Sequence, residues 1–457
     1  MAVAFQSYSD HIDQLIQAAL AAADPGTAVR QHLRHQDHIL TINGYTYDRD
    51  EGRIFLVSTG KAAVPMGLAA AEILHDCLEK AVIISKKTDR DWRLEIGDWR
   101  FSLHEGNHPV SGEDSLRATK AAIDMLSQTE TGDLVLCLVS GGSSALLTQP
   151  LIPLDDWQQL NKVLLSSGCT IDEFNTVRRQ LDRVKGGGLA RLAAPAACVS
   201  LILSDVVGNP LAIIGSGPTV PSGDTPADAL EVLERYHVES ALEPSVWRRV
   251  TEALQDNGHL QVKETELYNL IVSDVRQAAR AAVARARQLG FTAQLLTARL
   301  EGEAREVGRI AAAIAKDTLP GHCLIMGGET TVTLRGDGTG GRNQEVALAA
   351  AIALDGWPNV ALASIATDGE DGPTDAAGAV VTGRTVGLAH DHGLEPHDFL
   401  DRNDSYTFFK QLDYESREDR SHRHLIQTGP TGTNVNDLLF ILTYPKDESS
   451  SFIIHNS

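Results

Sequence analysis

RIFLVSTGKAAVPMGLAAAEILHDCL, residues 53–78, sets the architecture of the chain. Residues 53–57 form an apolar run that reads as a strand, 58–61 read as a tight turn closing on Gly60-Lys61, and 62–78 read as a helix. Met66, Leu68 and Leu74 lie on one side of that helix. The same unit recurs downstream. Residues 81–84 read as a second strand, 104–109 as a polar loop and 114–126 as a helix. Residues 133–139 are a strongly apolar strand leading into 140–144, and 199–203 are a further strand ending at Ser204-Asp205. Upstream, residues 1–40 read as helical, with Ile12, Leu15, Ile16 and Leu20 at a period near 3.6. Strand–helix alternation with crossovers of this length predicts an α/β fold built on a doubly wound parallel sheet.

At 457 residues the chain exceeds one comfortable core, which favours two domains. A Pro/Gly-rich run over 217–226, followed by more charged helical sequence, places the boundary near 240, giving domains 1–240 and 241–457. The second half restarts the alternation, with strands at 270–272 and 291–296 and helices at 278–289 and 302–316. Cys323-Leu324-Ile325-Met326 then reads as a buried strand that stops at Gly327-Gly328 and delivers Glu329 into a loop. The sequel GDGTGGRNQE, 336–345, has four glycines to bend the backbone around a ligand and presents Arg342, Asn343, Gln344 and Glu345 at the start of an Ala/Leu-rich helix. Amides for an anion, an arginine for developing charge and carboxylates for Mg²⁺ suit a phosphate chain with its metal. A Gly-rich hairpin turn is the plain alternative.

Five loops follow expected strands: Gly60-Lys61, 140–144, Ser204-Asp205, 327–329 and 367–371. If the strands are parallel, all five converge at their carboxyl ends, where ligands of open α/β sheets bind. Lys61 opens a helix and can meet an anion at its N-terminus. With no glycine at 55 and Ala62 after the lysine, the P-loop pattern fails. Gly141, Gly142, Ser143 and Ser144 offer amides and hydroxyls for phosphate oxygens, or a helix cap. They do not form G-x-S-x-G. Asp205 can orient a substrate hydroxyl, hold a metal, or cap the next turn. Asp368, with Glu370, Asp371 and Asp375, is a source of oxygen ligands without EF-hand spacing. Arg178 and Lys185, seven apart, supply a basic pocket or a solvated helix face. His104-Glu105-Gly106-Asn107-His108 matches H-E-x-x-H, but Gly106-Asn107 and Pro109 oppose the helix that zinc binding needs. No G-x-G-x-x-G follows a strand and opens a helix, so the dinucleotide fingerprint is missing.

Composition narrows the partners. The net charge of −21 argues against nucleic acid and anionic membranes. No apolar stretch approaches 18 residues, and residues 19–23 are too short for a signal sequence, so a cytoplasmic location is expected. Five scattered cysteines read as reduced.

Assembled, these loops resemble the class II glycerate 2-kinase family. The segments that carry the likeness are GKAA (60–63), EGNHPV (105–110), VSGGSSALL (139–147), NTVRRQLDRVKGGGLA (175–190), LSDVVGNPL (203–211), IGSGPTVPS (214–222), GGETTV (327–332), GGRNQE (340–345), TDGEDGPTDAAGA (367–379) and TGPTGTNVNDL (428–438). The resemblance implies an N-terminal Rossmann-like kinase domain, a C-terminal MOFRL α/β domain and an active site in the interdomain cleft. It implies ATP- and Mg²⁺-dependent phosphorylation of D-glycerate to 2-phosphoglycerate, and it allows a homodimer. Lys61 and Arg342 correspond to the family's catalytic pair; Asp205, Glu329, Asp368 and Asn434 fall in its other cleft motifs. Catalysis is thus expected from Lys61, Arg342 and Asp205. Substrate or nucleotide binding is expected at Gly60, Gly141, Gly142, Ser143, Ser144, Arg178, Lys185, Gly327, Gly328, Asn343 and Asn434, and metal at Glu329 and Asp368. Two departures stand out: Asp274, where the family's strand-end motif has asparagine, and a long charged patch at 414–424. Some relatives carry a hydroxypyruvate reductase label, which makes an NAD(P)H-dependent reductase the alternative activity.

Overall fold

Buried apolar runs become the central strands of two sheets, one in each half of the fold. The computed structural model describes residues 3–87, 100–257, 266–415 and 423–446. Contacts divide the chain into a unit of Pro25–Ser273 and a unit of Met1–Asp24 with Asp274–Ser457.

The first unit opens with an antiparallel meander, β1 (Leu33–Gln36), β2 (Ile39–Ile42) and β3 (Tyr45–Asp48). Residues 33–40, expected to continue the helical stretch, are not helical: the helix Pro25–His32 ends where β1 begins. The strands are only four residues each, and LRHQ shows no apolar alternation, so they carry little signal. Next come β4 (Ile54–Thr59), β5 (Leu78–Lys86), β6 (Phe101–Gly106), β7 (Leu134–Val139), β8 (Ala197–Leu203) and β9 (Leu267–Ser273). They form one parallel sheet ordered β6-β5-β4-β7-β8-β9. This is the 3-2-1-4-5-6 order of doubly wound folds, and its switch point lies between β4 and β7. Both of those strands are buried along their whole length, as strands covered on two faces must be. The helix after β4 spans Ala63–Leu74 and stops short of 78, because Leu78 already pairs in β5.

The division between the units falls after Ser273 rather than near 240. The helices Pro226–Arg235 and Pro244–Asn257 share a core with Leu154–Ser166 and Ile171–Gln180, where Trp157, Leu160, Leu164, Phe174, Leu233 and Val250 are buried together. That apolar seam keeps residues 226–257 with the first unit.

In the second unit, β10 (Thr292–Leu300), β11 (His322–Gly328), β12 (Val360–Ala366), β13 (Gly378–Thr382), β14 (Leu425–Ile426) and β15 (Asp437–Thr443) form a mixed sheet ordered β10-β11-β15-β12-β13-β14. Only β10 and β11 pair in parallel. The last strand lies antiparallel between β11 and β12, so those two run the same way and their carboxyl ends flank the start of β15. Gly328 and Ala366 are both in register with Asp437. The N-terminal helix Tyr8–Ala22 belongs to this unit, burying Ile12, Leu15 and Ile16 as its spacing predicts. Its His11 ring stacks on Tyr444 and meets Phe291 edge-on. Part of the charged patch, residues 416–422, lies outside the described residues; Tyr414 and Glu415 end the helix Ser405–Glu415.

Candidate active site

Two groups of side chains stand at strand ends, one in each unit. In the first, the turns after β4 and β7 are tied together: Lys61 N donates to Gly141 O at 2.8 Å and Ala62 N to Ser140 Oγ at 3.1 Å. The contact is close enough that only glycines fit. A Cβ on Gly60 would come within 2.6 Å of Ser140 O, and one on Gly141 would overlap the Asp205 carboxylate. On Gly142, with φ of 86°, it would lie 3.2 Å from both Lys61 Cγ and His108 Nε2. Lys61, His108 and Asp205 therefore gather around Gly141-Gly142 at the switch point. Among the described residues no carboxylate pairs with Lys61.

The serines of this turn serve the fold. Ser143 is fully buried, and its Oγ donates to Thr59 O (3.0 Å) or Ser140 O (2.6 Å). Ser144 Oγ bonds Ser216 Oγ at 2.8 Å. Arg178 and Lys185 also turn inward. Arg178 Nη2 donates to Ser144 O at 2.8 Å, with its guanidinium over Phe174 and Trp157. Lys185 Nζ donates to Ser144 O and Leu147 O, both at 2.9 Å, and pairs with Asp182 at 3.3 Å. Burial pulls Arg178 down to about 10 and Lys185 to about 8. The open basic pocket expected from them is absent, because the helix ends at Gln180 and the turn beyond folds Lys185 under 144–147.

In the second group, Arg342 opens the helix Arg342–Ala353 and faces two carboxylates. Its Nε and Nη2 donate to Asp437 Oδ2 (2.6 Å) and Oδ1 (3.0 Å), and its Nη1 to Glu329 Oε1 (2.6 Å). Burial disfavours the guanidinium charge, but Asp437, then Glu329 and Asp371, more than offset this and raise its pKa. Burial pushes the Asp437 carboxyl up to about 7, while Arg342 pulls it back. Asp371 caps the helix, accepting from Asn343 N (3.1 Å) and Gln344 N (2.9 Å); its own burial raises its pKa. Asp368 is half-buried at the end of β12, its Oδ1 accepting from Glu370 N at 3.3 Å. Asn434 Oδ1 accepts from Asn436 N at 3.1 Å in the turn before β15. Glu329, Arg342, Asp368 and Asn434 thus stand at one end of the sheet, around the carboxyl ends of β11 and β12 and the start of β15.

Other expectations for this loop are corrected. Asn343, Gln344 and Glu345 are buried rather than presented; Asn343 Oδ1 accepts from Ser364 Oγ at 2.6 Å. Glycines 336, 338 and 340 pack against the segment 402–405 instead of curving round a ligand. The amides of Arg335, Gly338 and Thr339 are spent on Asn403 Oδ1 (2.6 Å), Arg402 O (3.0 Å) and Asp404 Oδ1 (2.9 Å). Residues 336–341 spell G-x-G-x-x-G, yet the helix N-terminus a pyrophosphate would need holds the Asp371 carboxylate. Gly327 and Gly328 are packing glycines, the latter held against Leu300 by the bond from Glu329 N to Leu300 O, 2.8 Å. Asp274 caps the helix Val275–Gln288, accepting from Gln277 N at 2.8 Å. His104 lies on β6, not on a helix with His108, so the H-E-x-x-H match is no zinc site.

Sequence reasoning missed Asp437, whose signal was an acid heading the apolar strand DLLFILT. Among the described residues no three His, Cys, Asp or Glu side chains are grouped to hold a metal. A Mg²⁺ that arrives with phosphates needs only one or two protein carboxylates. Asp368 and Glu329, both half-buried, fit that need.

A doubly wound parallel sheet in one unit and a mixed sheet presenting arginine among carboxylates in the other define a two-unit α/β protein. Comparison with known proteins makes this specific. Residues 11–251 match a family described as a domain of unknown function, DUF4147, and residues 322–437 match the MOFRL family. A D-glycerate 2-kinase from Thermotoga maritima is 41% identical over 396 residues, 85% of this chain and 90% of that one. A crystal structure of glycerate kinase from the same organism superposes with a TM-score of 0.83 at 36% identity, covering 96% of this chain and 99% of its own. A relative from Agrobacterium vitis with a hydroxypyruvate reductase name is 36% identical over 94% of this chain and 93% of its own length. The chain belongs to the glycerate kinase family. Among the described residues no helix is long and apolar enough to cross a membrane.

Proposed function

We propose that the protein phosphorylates D-glycerate on its 2-hydroxyl with ATP and Mg²⁺, giving 2-phosphoglycerate and ADP. The observation that carries this is Arg342, held as a cation by Asp437 and Glu329 in a chain 41% identical to a D-glycerate 2-kinase. In-line phosphoryl transfer leaves little covalent work to the protein, so positioning and charge neutralisation dominate. Lys61 and Arg342 neutralise the transferring group. Asp205 orients the attacking hydroxyl. Asn434 and the backbone at Gly60, Gly141 and Gly142 contact substrate or nucleotide. Glu329 and Asp368 hold Mg²⁺, which supplies neutralising charge to the phosphates. Soluble, cytoplasmic action on a small molecule completes the reading, with a homodimer as its simplest assembly.

The test is incubation with ATP, Mg²⁺ and D-glycerate, followed by enolase without phosphoglycerate mutase. Direct conversion by enolase identifies the 2-phosphate; ADP with a product that enolase rejects overturns the regiochemistry. The hydroxypyruvate reductase name of one relative earns a parallel assay for NADH oxidation. The capped helix after 336–341 speaks against that activity, since no N-terminus is left there for a pyrophosphate.

A further inference from the structure

His108 is a further ionisable group at the switch point, and neither the site reading nor the metal motif assigns it a role. Its loop is anchored on both sides. Gly106 ends β6 against Leu146, where a Cβ would lie 2.9 Å from a leucine methyl. Asn107 is pinned to the helix Glu113–Leu126: its Oδ1 accepts from Asp114 N (3.0 Å) and Ser115 N (3.3 Å), while its own amide donates to Ser115 Oγ (2.9 Å). The next residue is thereby fixed across the end of β5, with its ring on the Gly142 turn. Nε2 of that ring and Cγ of Lys61 are equidistant, 3.2 Å, from the point a Gly142 Cβ would occupy.

We propose that His108 is the general base that takes the proton of the hydroxyl being phosphorylated. The proposal rests on the kinase reading above and adds a catalytic residue to it. The step balances as follows. The substrate O–H bond breaks and its proton passes to an imidazole nitrogen. The oxygen bonds to the γ-phosphorus as the bond from that phosphorus to the β–γ bridging oxygen breaks. ADP leaves with that electron pair, and the imidazolium later releases its proton to water.

The surroundings suit a base. Partial burial against the turn, then the ammonium groups of Lys61 and of Lys86 at the end of β5, lower the pKa of His108 below 6.5. Asp205 faces the same Gly141-Gly142 turn from the loop after β8. The imidazole is therefore neutral at neutral pH, with a free lone pair to accept a proton. Lys61 beside it attracts the phosphate oxygens toward the same point.

The experiment is the pH profile of kcat for the wild-type, His108→Gln and Asp205→Asn proteins, with thermal melting to confirm folding. The wild type should lose turnover tenfold per unit of acidification below the imidazole pKa. H108Q should fall by about 10²-fold at neutral pH and lose that acidic limb, with KM for glycerate nearly unchanged. Free imidazole should restore turnover to His108→Ala, a rescue that a structural role would not give. An acidic limb retained in H108Q, or one abolished by D205N while H108Q keeps it, overturns the proposal and leaves the kinase reading standing. No ADP from the wild type with ATP and D-glycerate at any pH removes that reading, and the proposal with it.

Discussion

Arg342 and Asp437 meet through two parallel hydrogen bonds, 2.6 Å from Nε to Oδ2 and 3.0 Å from Nη2 to Oδ1. The pairing is made possible by β15, which inserts between β11 and β12 and sets Asp437 level with Gly328 and Ala366. A fork with two fixed bonds has one orientation, so Nη1 is aimed by the other two nitrogens. Asp437→Asn keeps the shape but gives up the charge and one acceptor. It should lower kcat about 10²-fold through misplacement of Arg342. Arg342→Lys should fare no better, because an ammonium cannot copy the fork. Steady-state kinetics on both variants check this, and near-normal turnover in D437N would show that Asp437 does not position the arginine.

Lys61 and Lys185 look alike in sequence, each beside glycines in a motif of the same family, but the structure separates them. Lys61→Ala should lower kcat about 10²-fold and change stability by no more than about 0.5 kcal/mol. Lys185 is 1% exposed and satisfies Asp182 and two carbonyls. Lys185→Met should cost about 3–5 kcal/mol, since it strands a buried carboxylate. The pH dependence has a definite sign. Lys185 titrates at about 8 when folded against 10.5 when unfolded, so between these values the unfolded chain binds the extra proton. Stability of the wild type relative to K185M should therefore rise from pH 8 to 10.5, and be lost again as pH falls through 8. Urea unfolding of the pair at several pH values reads it; a difference flat across that window would mean Lys185 is not buried as a cation.

What could be read from the chain alone follows from what burial writes into it. β4, β7 and β11 were plain as strands because strands covered on both faces become unbroken apolar runs. Lys61, Asp205, Glu329 and Asp368 could be singled out because each directly follows such a run. The place of β15 could not, since DLLFILT looks the same at an edge or in the middle of a sheet, and only long-range pairing brings Asp437 to Arg342. Glycines were legible as necessary but not as to why. Beside Lys61 they admit a neighbouring turn; in 336–340 they admit the segment 402–405, and one composition served two purposes. Hydroxyls such as Ser143 give no sign in sequence that a nearby carbonyl already engages them.

That second use of glycine makes its own prediction. A Cβ on Gly338 would come within 2.6 Å of Arg402 O. Gly338→Ala should push the loop away at a cost of about 1–3 kcal/mol. Asn403→Ala should act on the same contact from the other side, removing the acceptor of Arg335 N and the donor to Glu345 Oε2 at 2.9 Å. Faster hydrogen exchange at the amides of 335, 338 and 339 in both variants is the expected outcome. Unchanged protection would show that those amides are held by something other than this segment.

Glu329 has two claims on it, the guanidinium it now meets at 2.6 Å and the Mg²⁺ proposed for it. Asp368 has no cation beside it among the described residues, so its carboxylate is the less committed of the two. Asp368→Asn should therefore raise the Mg²⁺ concentration needed for half-maximal rate, with little effect on kcat once the metal saturates. Glu329→Gln should raise the metal requirement and also lower kcat, because it leaves Arg342 with one carboxylate partner fewer. Loss of one metal carboxylate costs about tenfold or more in affinity, well within the reach of a Mg²⁺ titration of initial rates. Titration curves that superimpose on the wild type in both variants would remove these carboxylates from the metal site and leave Glu329 as a partner of Arg342 alone.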